Sequence, residues 1–305
     1  MQRIADEALK YAKPFLSQGH TAGYIPELSK VDPNRLGLYI ASNDGQCYKS
    51  GDFDTKFTLQ SISKTVSLML AVMDRGQDYV FNKVGMEPTG DAFNSIIKLE
   101  TVKLHKPLNP MINAGAIAID SLISGNTPED KFRHLAGFYR KVFNNEQLNY
   151  NKEVYLSEKA TGFRNRALAN FMKDAGVLEG DVDEVVDLYF KQCSFEVDCK
   201  DIAFLGALLA NDGISPSTGK EIVPKKVSRL VKTFMVTCGM YDASGEFAVK
   251  VGLPSKSGVG GGIVAVVPGT MGIGVFGPAL DDKGNSVGGI KILEYLSEKL
   301  GLSIF

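Results

Sequence analysis

The sequence has no tryptophan, and its 305 residues include only three histidines and four cysteines. So few cysteines exclude a small scaffold held together by disulfides. Their positions form no Cys-x-x-Cys pair or Cys/His cluster with the spacing of a zinc site. The cysteines are Cys47, Cys193, Cys199 and Cys238. We therefore expect free thiols in a reducing compartment and no bound metal.

An excess of either charge is also missing. Thirty-four Lys and Arg residues face 35 Asp and Glu residues, which gives a net charge of -1. Without a basic patch the chain has no electrostatic attraction for nucleic acid or for an anionic membrane surface. Hydrophobic residues make up 44% of the chain and charged residues 23%, which is typical of a globular protein with a sizeable core.

No apolar run is suited to crossing a membrane. Residues 257–280 carry no charge and are long enough to span a bilayer, but repeated glycines and two prolines would break a helix there. Residues 263–267 and 271–276, on either side of Pro268-Gly269, instead predict two buried strands joined by a turn. The Gly-x-Gly-x-x-Gly at 272–277 opens no helix, so it does not predict a dinucleotide site. The acidic amino terminus does not resemble a signal peptide, and we expect a cytoplasmic protein.

Strand patterns occur at both ends of the chain and helical patterns between them. Asn43-Asp-Gly45 predicts a hairpin near the amino terminus, and residues 289–300 predict a closing amphipathic helix. The helical segments between them cover 62–76, 113–124, 128–144, 157–175, 182–191 and 199–211. This order predicts one α+β domain over 1–305, an α/β sandwich whose antiparallel sheet is built from both chain ends and packs on helices. A helical sub-domain would occupy approximately 65–240.

A histidine-based serine hydrolase is not supported by the pattern. The one Gly-x-Ser-x-Gly, at 284–288, has no histidine after it, and Ser286 is better interpreted as the cap of the closing helix. His20, His105 and His134 are best interpreted as surface or structural residues. A serine nucleophile in this chain therefore needs another base.

A lysine three residues after a serine on a helix could be that base, since the two side chains share one face. Ser95–Lys98 and Ser217–Lys220 have this spacing in unsuitable contexts. Ser61 and Lys64 open the apolar helix, where unpaired backbone N–H groups favour developing negative charge. Burial on the apolar entry to that helix would lower the pKa of Lys64 and allow it to act as a base.

A Lys-Ser-Gly tripeptide strengthens this interpretation. Lys256, Ser257 and Gly258 lead directly into the glycine-rich strand, whereas the same tripeptide at Lys49–Gly51 leaves the early hairpin for a polar loop. Small residues on an edge strand let a substrate approach backbone N–H groups, which can then form an oxyanion hole. Together, Ser-x-x-Lys and a late Lys-Ser-Gly resemble the fold of serine β-lactamases and penicillin-binding transpeptidases.

Within that superfamily the sequence resembles the serine-dependent glutaminase family over nearly its whole length. The segments that carry the resemblance are 59–64, 109–116, 157–165, 239–247 and 253–262. The resemblance implies hydrolysis of L-glutamine to L-glutamate and ammonia through an acyl-enzyme, with no metal or cofactor. It also implies a homodimer or homotetramer.

The same resemblance implies roles for individual residues. Ser61 would be the nucleophile and Lys64 its base, with Lys256, Ser257 and Gly258 in support. The backbone N–H groups of Ser61 and Val259 would form the oxyanion hole. The other residues expected to contact substrate are Asn113, Glu158, Asn165, Tyr189 and Tyr241.

Elementary chemistry agrees with these roles. Glutamine carries an α-ammonium, an α-carboxylate and an amide, and Glu158 can supply the anion for the ammonium. Seven residues are close to two helical turns, so one helix over 157–175 would place Glu158 and Asn165 on one face. The Ser-x-Asn element of β-lactamases is absent from its expected region. Tyr189 is therefore the candidate for the proton shuttle.

Two alternatives stay open at this point. A β-lactamase or transpeptidase would share the fold and the Ser61 and Lys64 chemistry, and a chromogenic β-lactam offered beside glutamine would distinguish it. A non-enzymatic binding protein would keep the pocket without turnover, although Ser61, Lys64 and Lys256 are all present.

Overall fold

The computed structural model describes residues 1–101 and 105–305. The strands are β1 (Gly37–Ser42), β2 (Cys47–Gly51), β3 (Phe57–Thr58), β4 (Glu196–Val197), β5 (Ser255–Ser257), β6 (Gly262–Val267) and β7 (Met271–Phe276). The helices are α1 (Gln2–Ala12), α2 (Ser63–Arg75), α3 (Gln77–Lys83), α4 (Ile97–Thr101), α5 (Asn113–Ser121), α6 (Pro128–Phe143), α7 (Lys152–Thr161), α8 (Phe163–Asp174), α9 (Val182–Cys193), α10 (Cys199–Ala210), α11 (Lys225–Cys238), α12 (Ser244–Lys250) and α13 (Val287–Leu300). In these ranges no helix combines the length and the apolar character needed to cross a membrane.

Both ends of the chain contribute to one antiparallel sheet, as the sequence predicts. Its strand order is β2-β1-β7-β6-β5, with β1 and β2 from the amino-terminal part and the other three from the carboxyl-terminal part. Strands β6 and β7 form the expected buried hairpin, in which Val267 pairs with Met271 next to the turn. The closing helix α13 is capped by Ser286, whose Oγ accepts a hydrogen bond from the N–H of Gly289 at 3.0 Å.

Helices cover both faces of this sheet, which makes the molecule an α/β sandwich. On one face α1 and α13 pack against Leu38, Ile40 and Ile273. On the other face α10 packs against β7 so closely that a Cβ at Gly272 would lie 2.1 Å from the backbone N of Ala207. The glycines of the Gly-x-Gly-x-x-Gly segment therefore allow a helix to approach the sheet.

The expected single helix over 157–175 is wrong, because two helices occupy that segment. Helix α7 ends at Thr161 and α8 begins at Phe163, with Gly162 between them. A Cβ at Gly162 would lie 2.2 Å from Cζ of Phe190 and 2.8 Å from the carbonyl oxygen of Glu158. Close packing against α9 thus requires glycine at the point where the helix breaks.

Candidate active site

Ser61 lies in a 3₁₀ turn, Gln60–Ile62, which leads directly into α2. Gln60 has a φ of +48°, a left-handed conformation that is uncommon for a residue with a side chain and that concentrates at functional sites. The turn therefore holds Ser61 in a constrained position beside the start of a long buried helix.

The glycines after β5 hold this turn in place. A Cβ at Gly258 would lie 2.5 Å from the carbonyl oxygen of Leu59, and one at Gly260 would lie 2.4 Å from that of Thr58. Backbone packs on backbone here, so a larger residue would displace the turn that carries Ser61. These glycines make room for the turn, which differs from the expectation that they make room for substrate.

Lys64 is buried beside Ser61. Its Nζ lies 2.9 Å from Oγ of Ser61 and donates a hydrogen bond to Oδ1 of Asn113 at 2.7 Å. Burial lowers the pKa of Lys64 to about 8, against the opposing effects of Cys193, Glu158 and Asp120. The site therefore supplies a neutral amine, at mildly alkaline pH, within reach of the serine proton.

Asn113 links the lysine to Asn165. Its Nδ2 donates a hydrogen bond to Oδ1 of Asn165 at 3.0 Å. Asn113 is the first residue of α5, and Asn165 lies in the first turn of α8. Helices α2, α5 and α8 therefore each place a polar side chain from their amino-terminal end near Ser61 and Lys64.

Glu158, on α7, is buried with an unused acceptor. Only 6% of the residue is exposed, and its Oε2 has no hydrogen-bond partner among the described residues. Burial raises the pKa of Glu158 to about 8, while the Gln60 amide and the Lys64 charge act in the opposite direction. A buried carboxylate of this kind is stabilised when a cation binds to it.

Tyr241 is held in a strained backbone conformation, with a φ of +55°. The ring centroids of Tyr241 and Phe93 are 4.8 Å apart, and the Nζ of Lys256 lies 4.3 Å from the Tyr241 centroid. Its hydroxyl donates a hydrogen bond to the carbonyl oxygen of Ser257 at 3.3 Å. Burial raises the pKa of Tyr241, and the nearby side chain of Ser61 opposes this effect. The tyrosine hydroxyl is therefore next to the serine.

Lys256 supports that tyrosine from inside the protein. It is fully buried, and its Nζ donates hydrogen bonds to the carbonyl oxygens of Gly239 at 2.9 Å and Ser257 at 2.7 Å. Burial lowers the pKa of Lys256, and the charge of Lys64 lowers it further. Lys256 thus ties the backbone before Tyr241 to strand β5.

Tyr189, on α9, is buried in the same region but faces a different neighbour. Burial raises its pKa, with further contributions from Cys193 and Glu158. Within the described part of the chain its hydroxyl makes no hydrogen bond to Ser61 or Lys64. Ser61 influences the pKa of Tyr241 and not that of Tyr189, so Tyr241 is the tyrosine nearer to the expected nucleophile.

Two backbone amides near Ser61 are free of backbone partners. Over residues 1–101 and 105–305, the N–H of Ser61 and the N–H of Val259 donate to no backbone carbonyl. Val259 follows β5, whose residues 255–257 form an edge of the sheet. The N–H of Val259 is close enough to the hydroxyl of Tyr241 to lower the pKa of that tyrosine. N–H groups without backbone partners are the kind of donor that can stabilise an oxyanion.

Tyr24 and Phe93 also lie near the site, although no sequence pattern predicts them there. Phe93 lies close to Lys64 and Asn113. Its ring centroid is 6.0 Å from the Nζ of Lys64, and its carbonyl oxygen accepts a hydrogen bond from the N–H of Asn113 at 2.9 Å. The ring of Tyr24 lies 6.5 Å from that of Phe93. Both residues occupy irregular segments, so no periodic pattern marks them.

Comparisons with known proteins identify the family. A family model described as glutaminase matches residues 19–305. A glutaminase of Clostridium botulinum is 58% identical to the chain over 305 residues, which is the full length of both proteins.

Solved structures give the same result. A probable glutaminase of Bacillus subtilis matches with a TM-score of 0.94 and 41% identity, covering 100% of this chain and 97% of that one. A Bacillus subtilis glutaminase in covalent complex with 5-oxo-L-norleucine, formed by reaction with 6-diazo-5-oxo-L-norleucine, matches with a TM-score of 0.91 and 39% identity, covering 100% and 99%.

Proposed function

Because the chain belongs to the glutaminase family and hydrolyses L-glutamine, we propose that it does so through an acyl-enzyme on Ser61 with Lys64 as the general base. The observation that carries this proposal is the 2.9 Å separation of Lys64 Nζ from Ser61 Oγ in a buried site. A glutamine analogue that traps the nucleophile covalently tests it, as described for Ser61 below.

In acylation, Oγ of Ser61 attacks the side-chain amide carbon of glutamine while its proton passes to the neutral amine of Lys64. The N–H groups of Ser61 and Val259 stabilise the negative oxygen of the tetrahedral intermediate. The carbon–nitrogen bond then breaks, and the nitrogen receives a proton and leaves as ammonia. Water attacks the acyl-enzyme by the same steps in reverse order and releases glutamate.

The substrate is recognised through its charges. Glu158 accepts the α-ammonium, since its buried carboxylate has an unpaired oxygen. Asn165 is hydrogen-bonded to Asn113, and Tyr189 is close enough to Glu158 for that charge to raise its pKa. These two residues donate hydrogen bonds to the α-carboxylate. Asn113 keeps Lys64 in place through the 2.7 Å hydrogen bond.

We assign delivery of the proton to the leaving nitrogen to Tyr241, in place of Tyr189. Tyr241 is supported by the influence of the nearby Ser61 side chain on its pKa and by the contacts of its ring with Lys256 and Phe93. Tyr189 interacts with Cys193 instead. Tyr189 keeps a role in binding substrate.

The two tyrosines provide a matched pair of variants. Tyr241→Phe is expected to lower kcat about a hundredfold or more with little change in KM, because a group that transfers a proton acts in the transition state. Tyr189→Phe should mainly raise KM. Steady-state kinetics with glutamine measure both values, and the opposite assignment of effects would return the proton shuttle to Tyr189.

The pH dependence of the reaction should show two ionisations. Free enzyme is active with Lys64 neutral and Glu158 ionised, and both pKa values are about 8. We therefore expect kcat/KM to rise steeply between about pH 6 and 8, approaching two powers of ten per pH unit. In the enzyme–substrate complex the α-ammonium of glutamine keeps Glu158 ionised. Only Lys64 then titrates, so kcat should rise by one power of ten per pH unit.

Glu158→Gln separates the two ionisations. This variant should raise KM and reduce the slope of log kcat/KM to one, because only Lys64 then titrates. Initial rates across this pH range measure the slopes. An unchanged slope in the variant would show that Glu158 does not titrate in the free enzyme and that another group holds the ammonium.

The remaining expectations concern the molecule as a whole. We propose that residues 1–305 form a single catalytic domain, a proposal supported by the family match over 19–305. We also propose a cytoplasmic homodimer or homotetramer. All four cysteines are free thiols in the structure, which is the usual state in a reducing compartment.

A further inference from the structure

A group of buried polar side chains borders Lys64 and has no part in the mechanism above. It consists of Ser63 on α2, Asp120 on α5, Tyr139 on α6 and Gln192 on α9, all of them inaccessible to solvent. The hydroxyl of Tyr139 lies 3.0 Å from the carbonyl oxygen of Ser63 and 3.3 Å from Oε1 of Gln192. Four helices therefore bring polar groups to one point beside the catalytic lysine.

The hydrogen bonding of this group is incomplete. Among the described residues, Oδ1 and Oδ2 of Asp120, Oγ of Ser63 and Nε2 of Gln192 have no hydrogen-bond partner. Gln192 is near enough to lower the pKa of Asp120, but its geometry is not that of a hydrogen bond. A carboxyl group buried in this way is costly. Between Asn113 and Asp120 the residues of α5 are all small or aliphatic, so the presence of Asp120 there needs a physical explanation.

The charge of Lys64 offers an explanation for the buried Asp120. Burial raises the pKa of Asp120, and the positive charge of Lys64 opposes this. In return, Asp120 is one of the groups that raise the pKa of Lys64 against the effect of burial. Tyr139 and Cys193 also face this region, and neither supplies a positive charge.

A small cavity connects Asp120 with charged groups farther out. Its volume is about 20 Å³, which is enough for one water molecule. Asp120 and Phe132 line it together with four charged residues on α6 and α9: Lys131, Glu184, Asp187 and Lys191. Asp187 is paired with Lys159 and Lys191, so the negative charge of Asp187 is already balanced.

From this juxtaposition we propose that Asp120 is a positioning residue for the reaction, whose buried carboxylate balances the ammonium that Lys64 becomes when it takes the proton of Ser61. The proposal rests on the proposed role of Lys64 as the base. No bond forms or breaks at Asp120. The proton taken from Ser61 stays on Lys64 until Tyr241 gives its own proton to the leaving nitrogen and is reprotonated by Lys64. The carboxylate makes the protonated lysine less costly in a site without solvent.

Asp120→Asn tests the proposal, because it keeps the shape and removes the charge. Without that charge the pKa of Lys64 falls, so the acid limb of log kcat against pH should move to lower pH by about half a unit or more. The plateau value of kcat should fall, since a less basic amine is a weaker proton acceptor. Asp187→Asn is the matched control: it removes a carboxylate from the same cavity and should leave the limb in place.

The outcomes separate this proposal from the mechanism on which it rests. A wild-type acid limb that Asp120→Asn does not move, in a variant with a normal circular dichroism spectrum, overturns the role of Asp120 alone. A wild-type kcat without an acid limb overturns both the base assignment and the proposal. If the asparagine variant does not fold, Asp120→Ser removes the same charge with a smaller side chain, and the same shift is expected.

Discussion

Ser61→Ala is expected to lower kcat for glutamine by at least about a thousandfold, because loss of a nucleophile removes the covalent path entirely. The fold should persist, since the side chain fills little space. Ammonia release measures the activity, and thermal unfolding measures the fold. The same variant should also fail to react with 6-diazo-5-oxo-L-norleucine, which mass spectrometry would otherwise find attached to the peptide that contains Ser61.

The chain offers a matched control for this experiment. Ser217 and Lys220 have the same spacing as Ser61 and Lys64, but they lie in a turn on the surface, where Oγ of Ser217 lies 3.0 Å from Oγ of Ser215. Ser217→Ala should therefore leave glutamine hydrolysis unchanged. Comparable activity in Ser61→Ala and wild type would refute the nucleophile assignment.

The buried environment of Lys64 could be anticipated from the sequence. An apolar entry segment, a Ser-x-x-Lys pair and an amphipathic helix in one stretch are local features, and the structure confirms that Lys64 is buried at the start of α2. The two hairpins and the cap at Ser286 were also predictable, because turn and cap residues act over a few positions. Local patterns of this kind locate these strands and the closing helix along the sequence.

The break at Gly162 could not be predicted with the same certainty. A glycine within a helical pattern is tolerated at a cost of about 1 kcal/mol, so the sequence permits one helix or two. The contact with Phe190, which lies 28 positions later on α9, decides the outcome. Glu158 and Asn165 consequently reach the site from different helices, although one continuous helix would also have placed them side by side.

The choice between the two tyrosines depends on contacts distant in sequence. Tyr241 meets Ser61 because its backbone adopts a positive φ and because Lys256 and Phe93 hold its ring. Tyr189 lies on a regular helix, which makes it easy to recognise but says nothing about where its hydroxyl lies.

Helix α11 was not among the predicted helices. Pro224 before it and the helical spacing of Val227, Val231 and Phe234 nevertheless indicate a helix there.

The family identity resolves the alternatives left open by the residues. A β-lactamase or transpeptidase shares the Ser-x-x-Lys and Lys-Ser-Gly elements, but the full-length similarity is to glutaminases. In this structure Lys256 binds two backbone carbonyl oxygens and is inaccessible to solvent. These contacts favour a supporting role for Lys256, and we propose that other residues recognise the charges of the substrate.

Lys64→Arg is expected to lower kcat by about a thousandfold or more while keeping the positive charge. Arginine does not deprotonate in the working pH range, so it cannot accept the proton of Ser61. Lysine can do so here because burial brings its pKa to about 8. Any residual activity should also lose the rise of kcat with pH, since the group that titrates is gone.

Lys220→Arg is the control, because it makes the same change at the exposed Ser-x-x-Lys pair and should be silent. Thermal unfolding of both variants shows whether the larger guanidinium is accommodated beside Asn113. If it is not, Lys64→Met removes the amine with a side chain of similar length and should be equally inactive. A folded Lys64→Arg enzyme with near-normal kcat would mean that the lysine contributes only its charge, and the proton of Ser61 would then have to pass to Tyr241 or to water.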